Sequence, residues 1–330
     1  MNYISSFRFN LVIMSPLLAL LSAVTACSSG DGVLDELASG NAINFAATAA
    51  DVNATRGAIT DLTVVKADGF SVYATTTDPT TGRTTSFMNA QQVEWDGTDW
   101  TYAPEKYWPN DDREVSFYPV HNDPNGNLAV TTDWDGTPYM TYTTPTDVAK
   151  HTDLLWAPAV TASKTSVSGA VTFHFQHALS GICLRIAGET SSSNGTTPLT
   201  VVPTSVTLSI DAPQSGQLLP EATAIESAWY VSEKRQMRDY TFSTFAHDDA
   251  AAQYYTPDDK CAFFIPCDEA YYEFTIQCVL NGKNVEIQMD SKSVFEHLKA
   301  GTMNVINIAI KYETPIISTS IESLTDGTLE

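Results

Sequence analysis

Apolar and polar residues alternate in short runs along most of this chain, with the period of two that places successive side chains on opposite faces of a strand. The runs are Asp61–Val65, Gly69–Thr75, Gln91–Trp95, Asp99–Tyr102, Arg113–Tyr118, Ala170–Phe175 and Gly181–Ile186. They continue with Ser205–Ile210, Cys261–Ile265, Tyr271–Leu280, Asn284–Met289 and Met303–Tyr312. Threonine, valine and aromatic residues dominate them, as half-buried pleated strands prefer. Turn dipeptides separate them: Asp96-Gly97 and Asn281-Gly282 read as tight hairpins, and Asn125-Gly126 and Asp135-Gly136 as further turns. One segment, Ser291–Ala300, has the helical spacing of Val294, Phe295 and Leu298 and is expected to form a short helix or turn. The pattern predicts an all-β protein of two β-sandwich units.

The N-terminus follows a different pattern. Arg8 precedes an apolar run, Leu11–Leu21, and then the small residues Ser22-Ala23-Val24-Thr25-Ala26. This is the three-part layout of a secretory signal, and the apolar run is too short to span a bilayer. Val24-Thr25-Ala26-Cys27 resembles a bacterial lipobox, in which the cysteine is acylated and becomes the new N-terminus. Residues 1–26 are therefore expected to be a lipoprotein signal peptide, with Cys27 lipidated (palmitate and related acyl chains). Ser28-Ser29-Gly30-Asp31-Gly32 would be a flexible tether at a membrane.

What remains is long enough for about two domains. The seam is expected near residues 161–172, where polar Thr161–Ser168 precedes the apolar pair Val171–Phe175 and Ile182–Ile186. Gly188–Pro198 and Thr241–Pro257 read as long polar connections. The net charge of −22, one unit more negative once Arg8 leaves, repels the phosphates of nucleic acids and anionic lipids. At 43% hydrophobic and 17% charged residues the chain has a globular composition.

The candidate chemistry is sparse. There is no G-x-S-x-G elbow, phosphate-binding loop, dinucleotide fingerprint or metalloprotease helix, and the carboxylates are scattered. No catalytic residue, cofactor or metal ligand is nominated, and the chain reads as a non-enzyme. His174 and His177 fall on opposite faces of a strand and lack a third ligand, so a structural role is expected. Asp133-Trp134-Asp135-Gly136 and Asn122–Asn127 cluster oxygens as calcium loops do, but lack the spaced ligands and closing glutamate, and read as turns. Cys183, Cys261, Cys267 and Cys278 have no zinc spacing. Buried free cysteines are the first reading and one disulfide the second. Trp95, Trp100, Tyr102, Tyr107 and Trp108 would fill a core or make cross-strand pairs. Exposed, they would instead bind glycans on a surface lipoprotein that does not polymerise.

Several segments in order resemble the fimbrillin family of Bacteroidales, whose members build the type V pilus. They are Ile43-Asn44-Phe45, Thr55-Arg56-Gly57, Phe70–Ala74, Tyr107-Trp108-Pro109 with Val115–Pro119, and Asp153–Ala157. The most specific is Val171–Ser180, which ends in Phe175-Gln176-His177-Ala178-Leu179-Ser180. The resemblance implies two tandem transthyretin-like β-sandwich domains, no catalysis, and a fimbrial subunit that supports adhesion. Its partners would be other pilin subunits, a processing protease, and a host protein or glycan. Assembly by donor-strand exchange is implied, in which cleavage after an arginine frees the first strand and another subunit's strand replaces it. The expected division is a signal (1–26), a lipidated tether with first strand and cleavage site (27–57), an N-terminal sandwich (58–168) and a C-terminal sandwich with the donor strand (169–330). Arg56 is the one basic residue between residue 9 and Lys66, flanked by Ala54, Thr55, Gly57 and Ala58, and is the candidate cleavage site. Ile316, Ile317, Thr319 and Ile321 mark the candidate donor strand, with Ile317, Thr319 and Ile321 alternating on one face. The alternative is that this strand closes its own domain's sheet.

Overall fold

Strands form at all but one of the runs that the alternation predicted. The computed structural model describes residues 41–49, 62–188, 201–232, 235–248, 254–257, 261–288, 293–310 and the backbone of 315–323, all within one compact unit, Asn41–Glu330. In chain order the elements begin with β1 (Asn44–Ala49), α1 (Leu62–Asp68), β2 (Phe70–Thr77), β3 (Thr84–Trp95), β4 (Trp100–Thr101) and β5 (Val115–His121). Next come β6 (Leu128–Thr132), β7 (Pro138–Thr143), β8 (Leu155–Trp156), β9 (Val160–Ala162), β10 (Ala170–His177) and β11 (Ser180–Gly188). Then follow β12 (Val201–Ile210), β13 (Ser215–Leu218), β14 (Trp229–Tyr230), β15 (Arg238–Phe242), β16 (Phe245–Asp248) and β17 (Tyr254–Pro257). The last are β18 (Cys261–Phe264), β19 (Ala270–Leu280), β20 (Lys283–Gln288), β21 (Ser293–Phe295), β22 (Thr302–Ile310) and β23 (Pro315–Ser323).

Four sheets result. The first runs β1-β10-β8-β5-β2-β3-β4, with β9 also on β5. Its core is Phe45, Phe70, Val72, Phe117, Phe173 and Phe175 with their neighbours. A second sheet, β16-β17-β11-β22-β23 with β18 on β11, and a third, β15-β12-β19-β20 with β21 on β19, share another core. That core takes Ile182, Leu184 and Ile186 from β11, and Val206, Leu208 and Ile210 from β12. Tyr272, Phe274 and Ile276 of β19 complete it. A small sheet, β14-β13-β7-β6, joins residues from both halves of the sequence over a third core containing Tyr142, Trp156, Leu179 and Phe263. β22 serves two cores at once: Met303 and Val305 enter the third, while Ile306, Ile308 and Ile310 enter that of the second and third sheets. β10, just past the expected seam, pairs into the first sheet.

Two local expectations are corrected. Asp61–Val65 was read as a strand, but Leu62–Asp68 is a helix that buries Val65 and stops at Gly69. Gly69 has φ +70 and donates its N–H to the Val65 carbonyl at 2.8 Å, the glycine stop of a helix C-terminus. Ser291–Ala300 was expected to form a short helix or turn, but Ser293–Phe295 is a strand. Phe295 is drawn onto the ring of Tyr272 at 4.2 Å, and a strand register, not a helical one, allows that stacking. The Asn281-Gly282 hairpin forms as expected, whereas Asp96-Gly97 opens a four-residue loop, because Trp95 pairs with Trp100. Asn281 (φ 48) and Gly282 (φ 79) form a two-residue turn between Leu280 and Lys283, and the Asp96 carboxylate accepts the Thr98 and Asp99 amides at 2.8 Å.

Candidate functional site

The first sheet ends at β1, and that end is built unlike the others. β1 runs parallel to β10, from Asn44 opposite Ala170 to Ala49 opposite Phe175, so these partners are joined through almost the whole first half of the chain. Residues before β1 make a second attachment. Ile43 N–H donates to the Lys106 carbonyl at 2.8 Å, Trp108 N–H donates to the Asn41 carbonyl at 3.0 Å, and Ala42 bridges Tyr107. The inner face carries Ile43, Phe45, Ala47 and Ala49, two large residues followed by two small ones. Phe45 is 4% exposed, with its ring centroid 5.2 Å from Tyr102, 5.6 Å from Phe173 and 5.8 Å from Phe117. On the outer face, Thr48 Oγ1 hydrogen-bonds His174 Nδ1 at 2.8 Å.

Tyr102 holds the strand by its backbone. Its hydroxyl donates to the Ile43 carbonyl at 2.7 Å and accepts the Lys106 N–H at 3.2 Å. Burial pushes the phenol pKa up, so the group stays neutral and able to donate. A side chain that bonds a main-chain carbonyl grips a strand regardless of its sequence. The side chains that enter the core from this segment are Ile43 and Phe45, both buried, with Ala47 and Ala49 partly buried beside them. Burying Ile43 and Phe45 contributes about 1.5–3 kcal/mol each.

The aromatic group works inside this assembly. Trp100 packs on Phe70 at 4.9 Å and on Trp95 at 5.4 Å, and Trp108 meets Phe117 edge-on at 5.7 Å. Lys66 of α1 sits 4.0 Å over the Trp95 ring, a cation–π contact. Tyr107 is exposed and its hydroxyl reaches Glu105 at 3.2 Å. Most of the rings therefore support β1 and the core beneath it. The density of aromatic residues between 95 and 108 made the group conspicuous, but nothing in it marked Tyr102 as a backbone clamp.

The other sequence-nominated residues are spread apart. Cys27 and Arg56 lie outside the described residues. β23, which holds Ile316, Ile317, Thr319 and Ile321, pairs antiparallel with β22 at the edge of the second sheet. Ile316 stands opposite Ala309, Ile317 opposite Ile308, Thr319 opposite Ile306 and Ile321 opposite Asn304. His174 is on the outer face with Thr48, whereas His177 is buried with Nδ1 2.5 Å from Asp153. The Asp123 carboxylate accepts the amides of Asn125, Asn127 and Leu128 and the Thr152 hydroxyl, so its turn consumes its oxygens. Among the described residues no group of three or more His, Cys, Asp or Glu is placed to hold a metal.

The cysteine reading is corrected in part. Cys183 and Cys261, directly opposite on β11 and β18, form a disulfide, while Cys267 and Cys278 are free. Burial raises both free thiols above the ordinary value, Cys267 to about 11, which suppresses thiolate chemistry. The sequence also gave no sign of the role of His151. Its ring accepts the Phe263 N–H at 2.8 Å through Nδ1 and donates to the Pro145 carbonyl at 2.8 Å through Nε2. Only a neutral ring does both.

A family model described as fimbrillin-like matches residues 53–323. The chain belongs to the fimbrillin-like family. Membership places it among pilus and surface-adhesion proteins. A fimbrial protein from Bacteroides vulgatus has the same fold, with 18% identity, 86% of this chain and 100% of that one covered, and a TM-score of 0.57. Putative cell adhesion proteins also match, from Bacteroides uniformis (14% identity, 86% and 98% covered, TM-score 0.48) and Bacteroides ovatus (15%, 88% and 98%, 0.48). No curated protein matches the chain. Among the described residues, no helix is long and apolar enough to cross a membrane.

Proposed function

We propose that this chain is a structural subunit of a cell-surface pilus, exported as an outer-membrane lipoprotein through Cys27 and assembled by protease-triggered strand replacement. The observation that carries the reading is β1 itself. It is a terminal strand of its sheet, parallel to a strand distant in sequence, and Phe45 plugs it into the core of the first sheet. Arg56 stands between Ala49, where β1 ends, and Leu62, where α1 begins. A cut there severs β1 from everything it packs against, so only non-covalent contacts retain it. Loss of the strand bares the β10 edge and the apolar pockets of Ile43 and Phe45. An incoming strand satisfies both, by main-chain bonds and by side-chain fit. The donor would be β23 of another subunit, since it already lies at a sheet edge near the end of the chain.

The lipid and the cut act in sequence in this scheme. Acylation at Cys27 holds the precursor at the membrane, and cleavage after Arg56 frees the folded body from that lipid. Expression of the wild type and of Arg56→Ala in a fimbriated Bacteroidales host tests the order. Wild type should give surface polymer without label from radioactive palmitate. Arg56→Ala should give a labelled, membrane-bound monomer, and Cys27→Ala neither label nor surface protein. Polymer formed equally by Arg56→Ala would defeat the proposal.

A further inference from the structure

The small sheet turns an aromatic face to solvent. Along β7, Met140 and Tyr142 enter the third core, which leaves Tyr139 and Thr141 on the other side of the strand. Along β14, Trp229 packs on that core and Tyr230 faces out. Gln217 lies between the two strands, opposite Thr141 on β7 and opposite Tyr230 on β14. At the β6–β7 turn stands Trp134, 77% exposed, more than any other large apolar side chain among the described residues. Its turn is fixed. The Asp133 N–H donates to the Thr137 carbonyl at 2.9 Å, and the Gly136 N–H donates to the Asp133 carbonyl at 3.0 Å. The Thr137 N–H donates to Asp135 Oδ1 at 2.9 Å. Gly136 (φ +92) sits so close to β3 that a Cβ there would lie 2.5 Å from the Ser86 Cβ. A ring carried on a braced turn has little ordering left to lose on binding.

Charge decides what this face fits. Residues 128–143 and 215–230, which build the sheet, include Asp133, Asp135, Glu221 and Glu226 and no Lys, Arg or His. The Tyr139 hydroxyl lies 3.5 Å from Asp133 Oδ2, and Asp133 foremost, with Glu221 and Asp135, pushes its phenol pKa up. Negative charge beside open aromatic faces suits a cation, held by Coulomb attraction and by the ring quadrupole together. The chain already makes this pairing within itself, where Lys66 sits 4.0 Å over the Trp95 ring. Anionic glycans and acidic lipid would be repelled, and a second copy of a chain of net charge −22 is disfavoured for the same reason. We propose that the outer face of the small sheet, with Trp134, Tyr139 and Tyr230, is a docking surface for a basic segment of a partner protein. One of its arginine or lysine side chains seats on the Trp134 ring beside the Asp133 and Asp135 carboxylates. The surface contains no residue of β1 or β23, so it does not depend on strand replacement.

Three fluorescent probes, titrated into the full-length protein by anisotropy, test this. They are a peptide alternating glycine with arginine, the same peptide with uncharged citrulline for arginine, and a neutral glucose oligosaccharide. The arginine peptide should bind about tenfold more tightly than the citrulline one, and less tightly as salt rises from about 50 to about 200 mM. Trp134→Ala should weaken the arginine peptide about threefold to thirtyfold. Asp135→Asn, which keeps an acceptor for the Thr137 amide, should weaken it as well. Tyr271→Ala, which removes an exposed tyrosine of β19, should change binding less than about twofold. Far-ultraviolet circular dichroism should be the same in all three variants, since none of these side chains is buried. Binding that Trp134→Ala leaves unchanged is general attraction to an acidic chain and overturns the proposal. Equal binding of the arginine and citrulline peptides overturns it too. Binding of the oligosaccharide alone, lost in Trp134→Ala, makes the face a sugar site instead, and failure of every probe to bind leaves no docking surface at all.

Discussion

Replacing Phe45 with alanine tests whether β1 is held as a separable plug. The ring is 4% exposed and touches Tyr102, Phe117 and Phe173, three residues on different segments, so the pocket cannot close by moving one neighbour. Truncating a buried phenylalanine in such a site costs about 3–5 kcal/mol. That equals a change of about a hundredfold to a few thousandfold in an opening equilibrium. Against it stand the Ile43 side chain, the β10 ladder and the Tyr102 clamp, which alone are too few to hold a strand firmly. Native-state hydrogen exchange on Phe45→Ala should therefore show β1 amides exchanging nearly as in an unfolded chain. Amides of β2 and β5 in the same sheet should stay protected, and far-ultraviolet circular dichroism should persist. Equal collapse of protection in β1, β2 and β5 would mean that the strand is integral to the fold and cannot leave without unfolding it. Retention of β1 protection within about tenfold of wild type would show that the ladder alone holds it.

Other perturbations probe the rest of the account. Tyr102→Phe removes the bond to the Ile43 carbonyl, and should lower stability by about 1 kcal/mol in urea unfolding. It should also speed loss of the 41–49 fragment after cleavage. His151 has its pKa lowered from 6.5 to about 4, first by burial, so the unfolded chain takes up a proton before the folded one does. Stability from this residue is full above pH 6.5 and falls as pH drops towards 4, by about 3 kcal/mol. His121, lowered by burial, adds to the same trend, so the wild-type minus His151→Gln difference is the quantity to follow. It should shrink on acidification, and a difference independent of pH would contradict the neutral-ring assignment. Reducing the Cys183–Cys261 disulfide, which spans 78 residues, should cost about 4 kcal/mol and lower the midpoint in urea. A Cys183→Ala/Cys261→Ala variant should match the reduced protein.

The sheets were legible because their inward residues alternate: Val171, Phe173 and Phe175 in β10, and Val206, Leu208 and Ile210 in β12, report the core directly. Residues 62–68 were misread because Leu62-Thr63-Val64-Val65 has strand composition, and tertiary context overrode it; the Gly69 stop signal was the available clue. Residues 293–295 were misread because a three-residue strand carries too little pattern to compete with helical spacing. The slot was half visible. Ile43 and Phe45 marked β1, but a parallel partner more than a hundred residues away leaves no local trace. The Tyr102 clamp and the His151 ring are single polar contacts between distant segments, and the disulfide depends on which two of four cysteines the sheet brings opposite each other.

Strand replacement requires that β1 be expendable to the folded body and replaceable by a strand of another copy. Purified full-length protein is digested with an Arg-specific protease, then followed by intact mass and by gel electrophoresis without boiling. The expected result is cleavage after Arg56, departure of the fragment carrying Phe45, and a ladder of detergent-resistant oligomers that disappears when residues 315–330 are deleted. A cut chain that keeps its fragment and runs as a folded monomer, with or without residues 315–330, would contradict it.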